Sequence, residues 1–389
     1  MRNSPAIAAA FEMTPGRYPE HTTLGLYRDV LSQALREWHV RPGQLDGLLI
    51  PPADMAADRP DVLMHERFID ELGIRSVLSE TMFAGGASYA LMVQRAALAI
   101  ADGRAEAVLC AGAGKFPKLD LDTRRSMSKI FQPQFELPYG PTIPAMYALL
   151  ATRHMAEYGT TAEQFAAVAV AARRWAMRHP QALMRPRGEI DVAAVLASPM
   201  VASPFHMLDC SVPCEGGGAI LVTSGEVARR ICAQPAYVRG MGEFHSHGYQ
   251  SQADEFGVSI GAREAGRQAF RTSGLTPGDI DVVEIYDAFS AMPLICLEDL
   301  GFCGKGKGGA LVESGAILPG GELPLNTYGG LMSFGHVGDA SGLSMIVEGA
   351  RQVMGVAGER QVASAATALV HCYGGMQADH GTLILAREA

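Results

Sequence analysis

A fixed offset in this chain carries Pro42 onto Pro277. The same offset brings Gln33 onto Gln268, Ala34 onto Ala269 and Arg36 onto Arg271. These matches belong to one module used twice. In its first copy, Leu24 to Trp38 has helical spacing, with Leu26, Val30, Leu31, Ala34, Leu35 and Trp38 on one side. A Pro-Gly turn from Val40 to Asp46 and a short apolar strand, Gly47 to Ile50, follow it. In the second copy a helix from Arg263 to Gly274 leads through Leu275 to Asp281 into the strand Val282 to Ile285. A repeat of this length means two duplicated units, not a solenoid. A chain of 389 residues has room for two cores of ordinary size.

A second correspondence strengthens the first. Gly85-Gly86-Ala87-Ser88 feeds an apolar helix, Tyr89 to Ile100. Gly338-Asp339-Ala340-Ser341 feeds another, from Leu343 to Met354. Apolar strands follow both, Ala105 to Cys110 and Ala363 to Val370. Ala6 to Phe11 reads as a buried strand that opens the first half, and Gly218 to Val222 as one that completes it. Helices alternating with short apolar runs predict an α/β fold of two similar halves, residues 1–230 and 231–389, with parallel pairing prominent. Phe116 to about Leu208 reads as an inserted loop domain that covers one face. Within it, Thr142 to Tyr158 and Thr161 to Arg178 are expected helices, the second capped by Thr160 or Thr161 with Glu163 and Gln164 nearby.

The stretch from Asn326 to Gly342 is rich in glycine and carries one histidine, His336. A strand-like approach, Leu323 to Leu325, enters it and a helix leaves it. Backbone without Cβ atoms can approach a ligand closely. A helix beginning just beyond such a turn directs free N–H groups at that ligand, which suits a carbonyl or a developing oxyanion.

Composition excludes several classes. The net charge is -9 and no Lys/Arg run occurs, which argues against nucleic acid. Hydrophobic residues at 48 % supply a core, yet no stretch of about 18 uncharged apolar residues suggests a membrane span. Met1 to Phe11 lacks the pattern of a signal peptide. Seven scattered cysteines read as reduced thiols in a cytoplasmic protein. Cys210 and Cys214 lie close, but no second pair or histidine stands at metal-site spacing, so no metal is expected. His245 and His247, after the strand Tyr237 to Met241, read as solvated loop residues.

Three blocks, in order, carry a family resemblance. They are Glu284-Ile285-Tyr286-Asp287-Ala288-Phe289, Gly335-His336 with Gly338 and Gly342 behind, and His371-Cys372-Tyr373-Gly374-Gly375. They resemble the NEAF or HDCF, GHPxGxxG and CxG blocks of the thiolase superfamily, and most of all its sterol-carrier-protein-like, lipid-transfer-like branch. Asp209 to Ser224 is similar to that family's DGAAAxxL strand. The resemblance spans nearly the whole chain. It implies a thiolase-like five-layer αβαβα fold of two similar halves, a homodimer, no bound cofactor, and a coenzyme A thioester as substrate.

One block departs from the family. Thiolases place a nucleophilic cysteine, in CxSG or CxTG, at the start of the first-half helix. Here Glu80 to Ser88 contains no cysteine, and Phe83 or Met82 fills the slot. Cys110 lies too far along. The dipole-activated thiolate of the acyl-enzyme route is missing. Ser88 stands near the slot, but no neighbouring residue type supplies it with a base.

By the resemblance, His336, Cys372 and Tyr286 are the catalytic candidates: an oxyanion donor or acid/base, a proton carrier at the α carbon, and a hydroxyl in the slot that binds water or a carbonyl. Phe83, Asp287, Gly374, Gly375 and Tyr328 are candidates for the substrate's surroundings, with Asp287 also placed to brace its loop. His371 is a weaker candidate. Two function classes follow. One is an enzyme that makes or breaks a carbon–carbon bond in a coenzyme A thioester without acylating itself. In a retro-aldol, a base takes the β-hydroxyl proton and the enolate rests in the His336/Tyr286 site until Cys372 or water protonates it. Thiolase-like aldolases that shorten steroid side chains are the precedent, and they work with a small OB-fold, zinc-bearing partner subunit. Acyl transfer is the neighbouring version. The other class is a non-catalytic acyl-CoA or lipid binder, or a scaffold subunit. Lys305 and Lys307, in the stretch Gly301 to Gly309, are a weak phosphate signal.

Overall fold

A computed structural model describes residues 4–54, 60–115 and 128–389. Part of the expected insertion, residues 116–127, lies outside the described residues.

The strands are β1 (Pro5–Glu12), β2 (Gly47–Ile50), β3 (Leu78–Thr81), β4 (Ala107–Gly114), β5 (Met200–Ala202), β6 (Phe205–His206), β7 (Gly216–Ser224), β8 (Ala236–His245), β9 (Val282–Ile285), β10 (Thr367–Gly374) and β11 (Asp379–Ala386). Nine of them form one sheet in the order β3-β2-β4-β7-β1-β8-β11-β10-β9, while β5 and β6 pair with each other. The β1–β8 seam is antiparallel and rests on Ala6↔Tyr237 and Ile7↔Ala236. Outward from the seam, β1 is followed by β7, β4, β2 and β3. On the other side β8 is followed by β11, β10 and β9, and Leu325 extends the series by a parallel bridge to Val283. The sense of pairing matches step for step: antiparallel, antiparallel, parallel, parallel. The repeat read from Pro42 and Pro277 is thus present in three dimensions, each proline opening a short 3-10 turn before β2 or β9.

Parallel pairing is less prominent than the alternation of helices and strands predicts. It joins β2 to β3, β2 to β4 and β9 to β10, whereas β7 and β11 return antiparallel to their neighbours. The cause is connectivity: β10 turns directly back into β11, and β7 re-enters the sheet only after the long insertion.

Helix character fixes the layers. Thr23–Glu37 starts at Thr22, whose side chain accepts from the Gly25 amide, and it buries one face, including Leu26, Val30, Leu31 and Ala34. Ile260–Ser273 is likewise one-sided and stops at the left-handed Gly274. One-sided helices belong on the outside. Ser88–Ala101 and Gly342–Met354 are buried almost all round. They lie between the two halves: Gln94, on the first, donates to Gly242 O at 2.8 Å in β8. Outer helix, first half of the sheet, inner helices, second half of the sheet, outer helix make the five αβαβα layers.

The insertion begins as its sequence predicts. Ile143–Tyr158 is capped by Thr142, and Ala162–Ala176 by a Thr161/Gln164 capping box. It folds over the glycine-rich turn of the second half. Arg173 Nε donates to Ser333 Oγ at 3.1 Å, and Trp175 Nε1 to Ile317 O at 3.0 Å. Leu183 and Met184 donate backbone N–H groups to Phe334 and Ser333. Among the described residues no helix is long and apolar enough to cross a membrane.

Candidate active site

The three expected blocks converge at one end of the inner helices. Tyr286 directly follows β9, and its amide donates to His371 O at 3.0 Å in β10. His336 is held through its backbone: its amide donates to Val212 O at 2.7 Å, and its carbonyl accepts from Cys214 N at 2.9 Å. The approach to β7 therefore serves as a short strand partner for the histidine. The two side chains meet, with Tyr286 Oη 2.9 Å from His336 Nε2. Two serines extend the contact. Ser341 Oγ lies 2.9 Å from Tyr286 Oη, and Ser211 Oγ 3.5 Å from His336 Nδ1. Burial lowers the His336 pKa to about 4, so the ring is a neutral imidazole at physiological pH.

The empty nucleophile slot has a structural counterpart. A Cβ added at Gly86, at the start of the inner helix, would run into the Tyr286 ring and Tyr373 O. The tyrosine thus occupies the room next to that helix start. Phe83 is 46 % exposed and does not replace the missing thiol in any chemical sense. Ser88 is no substitute nucleophile: its hydroxyl accepts from Ala84 N at 2.8 Å and donates to Gly85 O at 2.7 Å, wholly buried.

Cys372 differs from its expected place at a strand end. It lies inside β10, fully buried, with Sγ 3.6 Å from Gly342 O. Burial pushes its pKa up, so it keeps its proton and can only give one.

The residues expected around the substrate divide. Asp287 is buried, and its Oδ1 accepts from Leu331 N at 2.7 Å. It braces the turn. The space is tight: Gly330 sits at φ 63, and a Cβ there would overlap the Asp287 carboxyl. The turn's amide is spent on this carboxyl, so the free N–H row expected of the turn is partly occupied. Burial raises the Asp287 pKa to about 8, against the lowering effect of the turn amides. Tyr328 is also buried and packs edge-on against Phe334, with ring centroids 5.5 Å apart. Gly374 packs on the Ala84 and Gly85 backbone, and a Cβ added at Gly85 would meet Gly374 and the Gly375 amide, so this strand end holds the slot loop.

His371 points into a different network. Its Nδ1 lies 2.8 Å from Thr382 Oγ1, and its Nε2 3.3 Å from His380 Nδ1. His245 is exposed, as expected, but ends β8 instead of lying in a loop, with its ring between Glu243 and Asp379 at 2.9 and 2.6 Å, and the Glu243 bond raises its pKa first.

The sequence reading missed Ser211, Ser341, Tyr147 and Tyr373. Tyr373 stacks edge-on to Tyr286 at 4.9 Å, and Tyr147, from the insertion, lies 6.1 Å from Tyr373 and 4.9 Å from Phe289. Phe205 stacks on Phe289 at 5.2 Å. An aromatic wall thus runs from the insertion to Tyr286. Ser341 and Tyr373 stand inside blocks that were recognised; Ser211 and Tyr147 carry no sequence signal.

Residues 242–387 match the family model described as thiolase C-terminal domain-like. The chain is similar to the acetyl-CoA acetyltransferase of Methanothermobacter thermautotrophicus, 32 % identical across 90 % of this chain and 91 % of that protein. This chain belongs to the thiolase superfamily. It is also similar to the 17-hydroxy-3-oxo-4-pregnene-20-carboxyl-CoA lyase of Mycobacterium tuberculosis, 32 % identical over 90 % of both chains. Among solved structures it resembles the Ltp2-ChsH2(DUF35) aldolase, with a TM-score of 0.86 and 28 % identity over 100 % of this chain and 99 % of that one. Within the thiolase superfamily, this chain has the fold, the histidine block and the late cysteine block, and a Tyr286–His336 pair where acyl-enzyme chemistry would need a thiol.

Proposed function

We propose that this protein is an enzyme that cleaves a β-hydroxyacyl-coenzyme A thioester by a retro-aldol reaction, without forming an acyl-enzyme. The observation that carries the reading is the Tyr286 phenol bonded to a neutral His336 beside an inner helix that has no cysteine. Tyr286, as phenolate, takes the β-hydroxyl proton. The β carbon becomes a carbonyl, the Cα–Cβ pair moves into the thioester, and the enolate oxygen accepts from the His336 Nε2–H, which Tyr286 gives up once its phenol is reprotonated. A neutral imidazole is a suitable donor for this, because it holds its N–H through the step. The α carbon then takes a proton from Cys372, which burial keeps as a thiol, or from water.

The substrate class is supported by the names of the lyase and aldolase relatives, both matched along almost the full chain. A partner subunit is supported by the two-component name of the aldolase neighbour; its small, OB-fold, zinc-bearing type is what the family resemblance implies. A homodimer is supported by β3, which pairs with β2 on one edge only and is flanked by exposed Val77, Val62, Leu63 and Phe83. The halves divide near residue 230, between β7 and β8, and the protein acts in the cytoplasm with no cofactor of its own.

The test is to incubate the protein, alone and with a candidate partner subunit, with a panel of β-hydroxyacyl-CoA thioesters. The expected products are a ketone or aldehyde and a shortened CoA ester, with the intact protein mass unchanged. An acyl adduct on the protein would overturn the non-covalent route.

A further inference from the structure

The hydrogen bonds around Tyr286 have a direction, and a residue outside the reacting pair sets it. Ser341 Oγ donates to Gly338 O at 3.0 Å. A serine hydroxyl carries one proton. Toward Tyr286, 2.9 Å away, Ser341 therefore accepts, and the phenol O–H points at it. The phenol's proton is then committed, so its oxygen accepts from His336 Nε2. That fixes the Nε2–H tautomer and leaves Nδ1 as an acceptor, turned toward the Ser211 hydroxyl. Ser341 is buried, at 2 % exposure, on the last residue before the inner helix Gly342–Met354, so its position is rigid.

We propose that Ser341 is the positioning residue that makes Tyr286 a usable base. When the phenol loses its proton to water, the Ser341 hydroxyl rotates from Gly338 O to the phenolate. The anion then accepts two hydrogen bonds, one from Ser341 and one from His336. With these two partners the neutral phenol makes one bond as donor and one as acceptor, each of ordinary strength. Hydrogen bonds to an ion are roughly twice as strong as those between neutral groups, so the serine favours the ionised form. The proton that Tyr286 later takes from the β-hydroxyl reverses the rotation. The groups facing Tyr286 do not compete for this role among the described residues: His336 is neutral, and burial raises the pKa of Tyr147, Tyr373 and the adjoining Asp287. Deepening the retro-aldol reading in this way rests on it for the catalytic consequence, but not for the ionisation itself.

The test reads the ionisation directly. Tyrosinate absorbance is titrated in the full-length protein and in Ser341→Ala, Ser341→Thr and Ser341→Cys, with the Tyr286→Phe curve subtracted from each. Ser341→Ala is expected to raise the Tyr286 midpoint by about one pH unit. Ser341→Thr, which keeps the hydroxyl, is expected to restore it. Ser341→Cys, close in size but a weak donor, is expected to shift in the same direction as alanine, and it carries the test should the alanine variant not fold. With a turned-over substrate, Ser341→Ala lowers kcat about tenfold on the acid side of that midpoint and leaves KM unchanged. An unmoved midpoint in a folded Ser341→Ala or Ser341→Cys protein overturns the proposal even if retro-aldol turnover is observed. A shifted midpoint with no turnover of any thioester sustains Ser341 and removes the aldolase reading instead.

Discussion

Tyr286 differs from phenylalanine by one oxygen, and that oxygen is the atom bonded to both His336 and Ser341. Tyr286→Phe therefore removes the proposed base and keeps the ring that packs on Gly86 and Tyr373. The expected result is a loss in kcat of roughly 10²- to 10⁴-fold with little change in KM, since acid–base catalysis supplies about that much. The stability cost should stay near 1 kcal/mol, roughly the usual net worth of such a hydrogen bond. Steady-state kinetics and a thermal melt on the same preparation separate the two. A rise in KM alone, with kcat intact, would mean that Tyr286 only positions substrate. His336 makes a related prediction. Its pKa, lowered to about 4 by burial, puts its charging well below the usual histidine range. The pH profile of kcat/KM should then show no inflection between about pH 6 and 7 that vanishes in His336→Ala. Such an inflection would mean the imidazole is ionised at work and that the neutral-donor assignment is wrong.

At the scale of elements, the slot loop Met82 to Gly86 explains why this chain cannot be returned to acyl-enzyme chemistry by one substitution. Phe83→Cys restores the residue type at the family position. Yet Phe83 is half-exposed, and the room beside the helix start is filled by Tyr286. The new thiol would stand on a half-exposed loop and should behave as an ordinary surface cysteine. Incubation with acetyl-CoA and intact mass measurement should show no acyl adduct beyond the slow background of an exposed thiol. A rapid, stoichiometric adduct on the introduced thiol would show that the slot remains competent and that Tyr286 does not block it. The same scale shows what could be read from sequence. Tyr286, His336 and Cys372 were legible because each lies in a contiguous block, the last two with glycines at fixed spacing. Ser211 was not, because it reaches His336 through a bridge between segments far apart in the chain, Pro213 and His336. Tyr147 was not, because a tyrosine on a helix of the insertion looks like any core residue until the helix is docked. Asp287 was half legible: bracing was read, but the partner, Leu331 N, was not, since it depends on a single turn of π-helix at Gly330–Phe334.

For the whole molecule, the repeat was legible and the way its halves meet was not. Pro42 and Pro277 mark local modules, and local periodicity is what a sequence displays. The seam between β1 and β8, and the antiparallel return of β7 and β11, are non-local pairings with no periodic trace. Joining the halves around two wholly buried helices has an electrostatic consequence: many ionisable groups are enclosed. Burial raises Glu12 to about 7 and Asp287 to about 8, while it lowers His179 to about 3 and His336 and His380 to about 4. The two sets act on stability with opposite sign. Each raised carboxyl binds a proton more tightly when folded, so its contribution is complete below the unfolded carboxylate value and is lost as pH rises through about 7 to 8. Each lowered histidine is neutral when folded, so its contribution is complete above the unfolded value near 6.5 and is lost as pH falls toward about 4. Between about pH 4 and 6.5 the two slopes oppose each other, three histidines against two carboxyls, so these groups leave a net rise of about 1 kcal/mol per pH unit. Above about 6.5 the lowered histidines no longer titrate in either state, and the raised carboxyls act together with His245, whose raised pKa works in the same direction. Stability should therefore fall between about pH 6.5 and 8, by about 1 kcal/mol per pH unit for each carboxyl still titrating. That is a drop of a few degrees in Tm for a chain of this size. Asp287→Asn keeps an oxygen for the Leu331 amide and removes the titrating proton. Its melting temperature should already lie above the parent's at about pH 6.5, where the unfolded parent's aspartate is ionised, and decline less steeply toward pH 8. Melting curves of both proteins across that range decide it: equal slopes would mean that Asp287 is already ionised in the folded protein at the acid end of the range, and that the turn amides outweigh the cost of burying its charge.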